Sequence, residues 1–196
     1  ETMNETLVTV AMPVFNGMPY LPKAVESILN QTYSDFRFLI INDGSTDGSA
    51  EYLDGISDSR VEVIHQENCG SGISAQRSLE LCQTEFYARM DADDISYPER
   101  LAIQVEYMLK HPEVSLLGGQ IDFLVDDGRF VRAPALPLGH DRIVRNLLEK
   151  KPVICQPSMM LRTEAARAVG GYRIPNAGQD FDLFLRLVEV GKLANI

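Results

Sequence analysis

Four apolar runs of strand length, each followed by a stretch of helical spacing, constrain this chain more than any other feature. They are Leu7 to Val14, Phe36 to Ile41, Val61 to Ile64 and Phe86 to Met90. Behind the first, Leu21, Val25, Ile28 and Leu29 share one helical face, and a short helix is predicted from Asp47 to Leu53. Ile73 to Cys82 follows the third run as a helix. Ser96-Tyr97-Pro98-Glu99 reads as a capping box with Pro in the first turn, opening a helix to about Lys110. Near-continuous apolar strands joined through helices predict a mostly parallel α/β sheet, Rossmann-like, with helices on both faces. Ligands of such sheets bind beyond the carboxyl ends of the strands. That rule puts residues 13–16, 42–47 and 91–94 along one rim.

The second half changes character. Val114 to Gly119, Ile121 to Val125 and Phe130-Val131 read as shorter strands, with a hairpin turn at Asp126-Asp127-Gly128. A helix from about His140 to Glu149 precedes a strand at Ser158 to Leu161. A loop with Gly170, Gly171, Pro175 and Gly178 is long enough to be an active-site element. Asp180 then opens an amphipathic helix to Val190, closed by Gly191. With no linker or repeat, 196 residues fit one domain. The terminal Lys192-Leu193-Ala194-Asn195-Ile196 reads as a new strand, so a longer polypeptide is expected.

Charge narrows the partners. A net charge of −10 argues against nucleic acid and against an anionic membrane surface. Cys69, Cys82 and Cys155 are odd in number and form no CxxC pair, which suggests a reducing compartment. No apolar run reaches membrane-spanning length, and the N-terminus lacks a signal-peptide pattern. Neither a GxGxxG after the first strand nor a Walker A sequence is present.

Against that background the run Met90-Asp91-Ala92-Asp93-Asp94 stands out. Three carboxylates within four residues repel one another, and a hard cation with oxygen ligands relieves that conflict. At a strand end the side chains of Asp91 and Asp93 would point to one side and share a metal. The alternative is a solvated acidic turn that caps the next helix.

Five segments follow one another along the chain: Met12-Pro13-Val14-Phe15-Asn16, Ile28 to Tyr33, Ile41-Asn42-Asp43-Gly44-Ser45-Thr46-Asp47, Met90 to Asp94, and Gly170-Gly171-Tyr172 with Gln179-Asp180-Phe181-Asp182-Leu183. Together they resemble family 2 glycosyltransferases. The resemblance implies a GT-A fold, a nucleotide-sugar donor (UDP-linked), Mn2+ or Mg2+, and inversion at the anomeric carbon. It implies hexosyl or N-acetylhexosaminyl transfer to a glycan or lipid-linked acceptor in polysaccharide or glycoconjugate synthesis. It further implies a donor-binding half over about 1–112 and an acceptor-side half over about 113–196. A cytoplasmic location is expected, with any contact to the inner membrane face made through other segments or the acceptor.

Carried over by residue, the resemblance makes Asp43 the acceptor for the uracil N–H, with Pro13 and Phe15 walling the base pocket and Asn16 fixing the loop. Asp91 would face the ribose or the metal waters, Asp93 would bind the metal, and Asp180 would be the catalytic base. Each has a plainer reading: a turn aspartate for Asp43, core packing for Phe15, a helix N-cap for Asp180. Asp182 and Arg186 lie at i and i+4 and would pair. Departures from the family pattern are Asn42 for Asp, Phe15 for Tyr, Gln179 for Glu and Gly17 for an acidic residue. Ser74-Ala75-Gln76-Arg77 departs too, which leaves the donor contact of Arg77 open. The chain has no Trp, so the processive Gln-x-x-Arg-Trp signature is missing and single-sugar transfer is expected. Two rivals stay open. One is a non-catalytic nucleotide-sugar-binding domain. The other is a haloacid-dehalogenase-like phosphotransferase, whose Asp nucleophile would end the first strand.

Overall fold

The computed structural model describes residues 6–125, 128–174 and 177–196. The expected turn residues Asp126 and Asp127, and Pro175 of the later loop, lie outside them. The first half alternates β1 (Val8–Val14), α1 (Leu21–Leu29), β2 (Phe36–Asp43), α2 (Ser49–Asp54), β3 (Val61–Gln66), α3 (Ser71–Leu81), β4 (Phe86–Arg89) and α4 (Arg100–Lys110). The second half runs β5 (Val114–Gly118), β6 (Asp122–Leu124), β7 (Phe130–Arg132), α5 (His140–Leu148), a 3-10 turn (Gln156–Ser158), β8 (Met160–Arg162), α6 (Thr163–Ala168), α7 (Gln179–Leu187) and β9 (Lys192–Asn195).

Seven strands form one sheet in the order β3-β2-β1-β4-β8-β5-β9, and β6 pairs with β7 in a separate hairpin. β1 to β4 are mutually parallel where they pair. β8 runs antiparallel to both β4 and β5, so the sheet is mixed but mostly parallel. The chain winds outward from β1 to β3 and then returns to place β4 on the other side of β1. The crevice between β1 and β4 is therefore a topological switch point.

Helices cover both faces, as the unbroken apolar strands require. α1, α2 and α4 pack Leu21, Val25, Ile28, Leu53, Leu101 and Met108 against one face. α3, α5 and α7 pack Leu79, Ile143, Leu147, Leu183 and Phe184 against the other. Each such large side chain contributes about 1.5–3 kcal/mol on burial.

Three expectations need correction. No side-chain cap forms at the start of α4, which begins at Arg100 rather than within a Ser96 capping box. The first helical turn is held instead by Gln31, whose Oε1 accepts from Leu101 N at 3.0 Å. The Gln31 amide also donates to Ser96 Oγ (3.1 Å) and Tyr97 O (2.8 Å), tying the end of α1 to the start of α4. Second, α7 starts at Gln179 after Gly178, whose φ of 91° makes it the N-cap, so Asp180 lies inside the first turn. Third, the segment after β8 is not all loop. Thr163–Ala168 is a helix closed against Gly170 and Gly171.

Candidate active site

At the carboxyl end of the sheet, β1, β2 and β4 open into a cleft of about 710 Å³. The predicted rim is real: Pro13, Phe15, Asn16, Asp43, Asp91 and Asp93 all line it. Strand register explains the convergence, since Val14 pairs with Asn42 and Ala11 with Arg89. β1 and β2 thus end at similar depth, while β4 stops opposite Ala11, short of the end of β1, and its acidic turn opens beside that end.

Local hydrogen bonds lace the rim together. Asn16, at φ 52°, accepts from Thr46 N through Oδ1 (2.8 Å) and donates its own N–H to Ser45 Oγ (3.0 Å). Asp47 accepts from Met18 N (2.8 Å) and from the Ser49 hydroxyl (2.7 Å). These bonds, the Ser49 hydroxyl first, hold the Asp47 carboxyl below its usual range. The Asp-Gly-Ser-Thr-Asp-Gly-Ser run is thereby a clamp between the first two strand-helix loops. Phe15 is 54% exposed on the cleft wall, so it does not fill the core.

Asp43 is buried and heavily engaged. Its Oδ1 accepts from Gln66 Nε2 (2.6 Å) and Cys69 N (3.0 Å), and its Oδ2 from Gly70 N (2.9 Å). Burial pushes its pKa up, but these donors outweigh it and leave the carboxyl below the ordinary range. Gly44 beside it sits at φ 76°, and a Cβ there would come within 2.8 Å of Asn68 N. Only glycine fits. Arg77 does not line the cleft; its Nη1 donates to Gln66 Oε1 at 2.5 Å, behind Asp43.

The acidic run adopts a different geometry from the expected one. β4 ends at Arg89, and Asp91 to Asp94 form a turn in which Asp94 N donates to Asp91 O (3.4 Å). Strand alternation therefore does not set the side-chain directions. Asp91 and Asp93 still line the cleft, and Asp94 does not. Asp91 Oδ1 accepts both Nε (3.1 Å) and Nη2 (2.9 Å) of the buried Arg89, while its second oxygen stays clear of that pair. Partial burial, then Asp91 and Asp93, push the Asp94 carboxyl up to about 6. That is the electrostatic conflict legible in the sequence.

Among the described residues no three His, Cys, Asp or Glu side chains converge to cage a metal. An oxygen-only pair on a rim fits a cation whose remaining ligands come from phosphates and water, as is usual for magnesium. Asp93, exposed on the cleft wall, and the unpaired oxygen of Asp91 suit that role.

α7 closes the far side, where Gln179 lines the cleft. The Asp182 carboxylate is occupied by Arg173 (3.0 Å) and Arg186 (3.1 Å to Nε), as the i, i+4 spacing predicts. Asp180, next to Gln179 along α7, is not among the residues that line the cleft, and it has no hydrogen-bond or ion-pair partner among the described residues. Gly171, at φ 61°, lets Tyr172 N donate to Gln76 Oε1 (2.7 Å); a Cβ would clash with that oxygen. Sequence reasoning missed Arg89 and Gln156, both on the cleft wall. A lone arginine inside an apolar strand is a signal that could have found the first.

The sequence profile of Glycosyl transferase family 2 matches residues 9–170. The chain belongs to that family. An O-antigen biosynthesis glycosyltransferase of Escherichia coli, WbnJ, is 31% identical over 185 residues, covering 93% of this chain and 72% of that one. An uncharacterized glycosyltransferase of Methanocaldococcus jannaschii is 28% identical over 95% of this chain, which spans 66% of that relative's length. Among solved structures, S. aureus TarS in complex with UDP-GlcNAc superposes with a TM-score of 0.80 at 17% identity, covering 97% of this chain and 56% of that one. A mannosyltransferase of Pyrobaculum calidifontis with GDP-Man and Mn2+ gives 0.74 at 17% identity, over 96% of this chain and 54% of the other. This family 2 chain accordingly has the GT-A fold. Its first strand, Val8–Val14, carries no carboxylate, unlike the nucleophile-bearing strand of the phosphotransferase rival.

Proposed function

We propose that the chain transfers a single hexosyl or N-acetylhexosaminyl unit from a UDP-sugar to an acceptor hydroxyl, with inversion, in polysaccharide or glycoconjugate synthesis. The observation that carries this reading is the joining of Asp43, Phe15, Asp91 and Asp93 in one cleft closed by the start of α7. Phe15 and Pro13 wall the base, and the free capacity of Asp43 accepts the uracil N–H. Arg77 contributes at one remove, by fixing Gln66. Residues up to about 112 form the donor side and about 113–196 the acceptor side.

Asp93 and Asp91 would hold a divalent cation, Mn2+ or Mg2+, which would supply positive charge for the diphosphate in an otherwise acidic cleft. Asp180 takes the acceptor hydroxyl's proton as its oxygen bonds to the anomeric carbon; the bond to the diphosphate oxygen breaks and its electron pair leaves with UDP. Among the described residues Asp180 has no partner and Asp182 has two, which supports the first as base. The acceptor is a glycan or lipid-linked sugar. No helix among the described residues is long and apolar enough to cross a membrane. All three cysteines are free, in keeping with a cytoplasmic site of action.

Calorimetry with a nucleotide panel and Mn2+ tests the donor assignment. UDP and UDP-sugars should bind with metal dependence. Tighter binding of GDP would overturn the uridine reading, and binding without sugar release to any acceptor or water would favour a non-catalytic module.

A further inference from the structure

Arg89 is a cation inside an apolar strand end, between the buried residues Ala88 and Met90. Its side chain is only 4% exposed, and among the described residues it makes one ion pair, with Asp91. That pair is lopsided. Nε (3.1 Å) and Nη2 (2.9 Å) both donate to Oδ1, so Oδ2 is left for another partner. Arg89 is also anchored through its backbone: its N–H donates to Met159 O (2.9 Å), and its carbonyl accepts from Arg100 Nη2 (2.7 Å). Arg100 is a second guanidinium behind the acidic turn. Its Nη2 reaches Met159 O as well (3.1 Å), and its Nε donates to Gln104 Oε1 (3.1 Å). Burial works against the charge of Arg89, and Asp91 more than offsets it, so the guanidinium pKa lies above its ordinary value.

We propose that Arg89 is a positioning residue that acts on the divalent cation through Asp91: it leaves one carboxylate oxygen for the cation, and its fixed charge keeps cation binding weak until the diphosphate is present. The proposal rests on the donor reading above and deepens it. The acidic turn by itself carries three negative charges, on Asp91, Asp93 and Asp94. Arg89 pairs with the first, and the charge of Arg100 is felt by both Asp91 and Asp94. One net negative charge is then left to attract a free cation. A hard divalent ion gives up its water only to several charged oxygens. The diphosphate adds the missing ones, and the guanidinium that repels the cation attracts that anion. Removing Arg89 therefore has opposite effects on the two ligands, whereas loss of structure would weaken both.

The test separates charge from structure. Arg89→Met and Arg89→Gln remove the charge, Arg89→Lys keeps it on a shorter stem, and thermal melts check that each is folded. Mn2+ binding is read from the EPR signal of the free ion, without nucleotide and with saturating UDP. UDP binding without metal is read by calorimetry in the presence of a chelator. The parent should bind Mn2+ at least about fivefold more weakly alone than with UDP. In the two neutral variants the empty site should take Mn2+ about 5- to 50-fold more tightly, the scale of a unit charge removed from beside a divalent ion at a wet rim. Metal-free UDP should bind them about 3- to 10-fold more weakly. Arg89→Lys should lie within about threefold of the parent in both measurements. If Arg89→Met does not fold, Arg89→Gln carries the same comparison. Weaker binding of both Mn2+ and UDP in the neutral variants would make Arg89 a structural residue and overturn the proposal. So would a parent that binds Mn2+ equally well with and without UDP, or a lysine variant that behaves like the methionine one. The expected Mn2+ shifts with GDP strengthening metal binding in place of UDP would sink the uridine reading and retain the role of Arg89. Absence of Mn2+ binding with either nucleotide overturns both.

Discussion

Two aspartates two residues apart in α7 show how environment divides labour. Asp180 is unpartnered among the described residues, whereas Asp182 is held by Arg173 and Arg186, which lowers its pKa chiefly through the Arg173 bond. Asp180→Asn should bind UDP and Mn2+ like the parent and lose transfer by about 10²–10⁴-fold, the usual range for a general base. Asp182→Asn should show the converse, a lower melting temperature with little specific kinetic defect. Retained turnover in the first and loss in the second would move the base by two residues. Asp43 serves structure as well as the proposed uracil contact. Asp43→Ala leaves the part-buried N–H groups of Cys69 and Gly70 without their protein acceptor. It should destabilise the protein by about 1.5–3 kcal/mol, the range for hydrogen bonds to a charged group, measured by urea unfolding. A selective loss of UDP over GDP affinity would add the recognition role; an equal loss would leave only the loop. Asp93→Ala should abolish metal-dependent nucleotide binding without lowering thermal stability, because its side chain is exposed at the rim.

Elements were legible where periodicity alone decides them and illegible where a distant side chain does. β1, β2, α1 and α3 follow directly from apolar spacing. The start of α4 does not: its first turn is held by Gln31, seventy residues upstream of Leu101, so no local pattern reveals it. Gln31→Ala removes bonds to Leu101 N, Ser96 Oγ and Tyr97 O together. A loss of about 1–3 kcal/mol is expected, read from the urea midpoint, since a buried donor is left unmet. The Asp91 to Asp94 turn leads into this junction, so nucleotide affinity should fall as well. Unchanged stability would mean that the α4 terminus holds without it. Gly171 makes the same point for the motif Gly-Gly-Tyr. Its positive φ and the Gln76 oxygen 2.2 Å from a would-be Cβ give the physical reason for a glycine that the sequence marks only as loop and motif.

For the whole molecule, acid should expose the clamps that hold the rim. Asp58 is lowered to about 2, mainly by the Arg60 side chain, and Asp43, Asp47 and Asp182 are lowered as well. A depressed folded-state pKa means that the unfolded chain binds more protons between the two values. The stability these groups add is present above the ordinary aspartate pKa and is lost as pH falls through their lowered values, about 2 for Asp58; for that partly exposed side chain it is under about 1 kcal/mol. Melting temperature should therefore drop steeply between pH 4 and 2, and a flat profile there would contradict the assigned bonds. Asp94, raised to about 6, acts in the opposite direction at higher pH and leaves that limb untouched. The alternation of apolar strand and helix, together with carboxylates crowded after the fourth strand, determined by sequence alone a mostly parallel sheet and the rim that carries its chemistry. Those features are local, because burial on two faces requires continuous apolar runs whatever lies beside them. What only the tertiary structure decided was non-local: the antiparallel entry of β8, the turn that aims Asp91 and Asp93, and the partners that occupy Asp43 and Asp182. It also brought Arg89, Gln156 and Gln179, from three separate segments, to the wall of one cleft. Hydrogen bonds between such segments depend on distances that a strand-and-helix pattern does not encode.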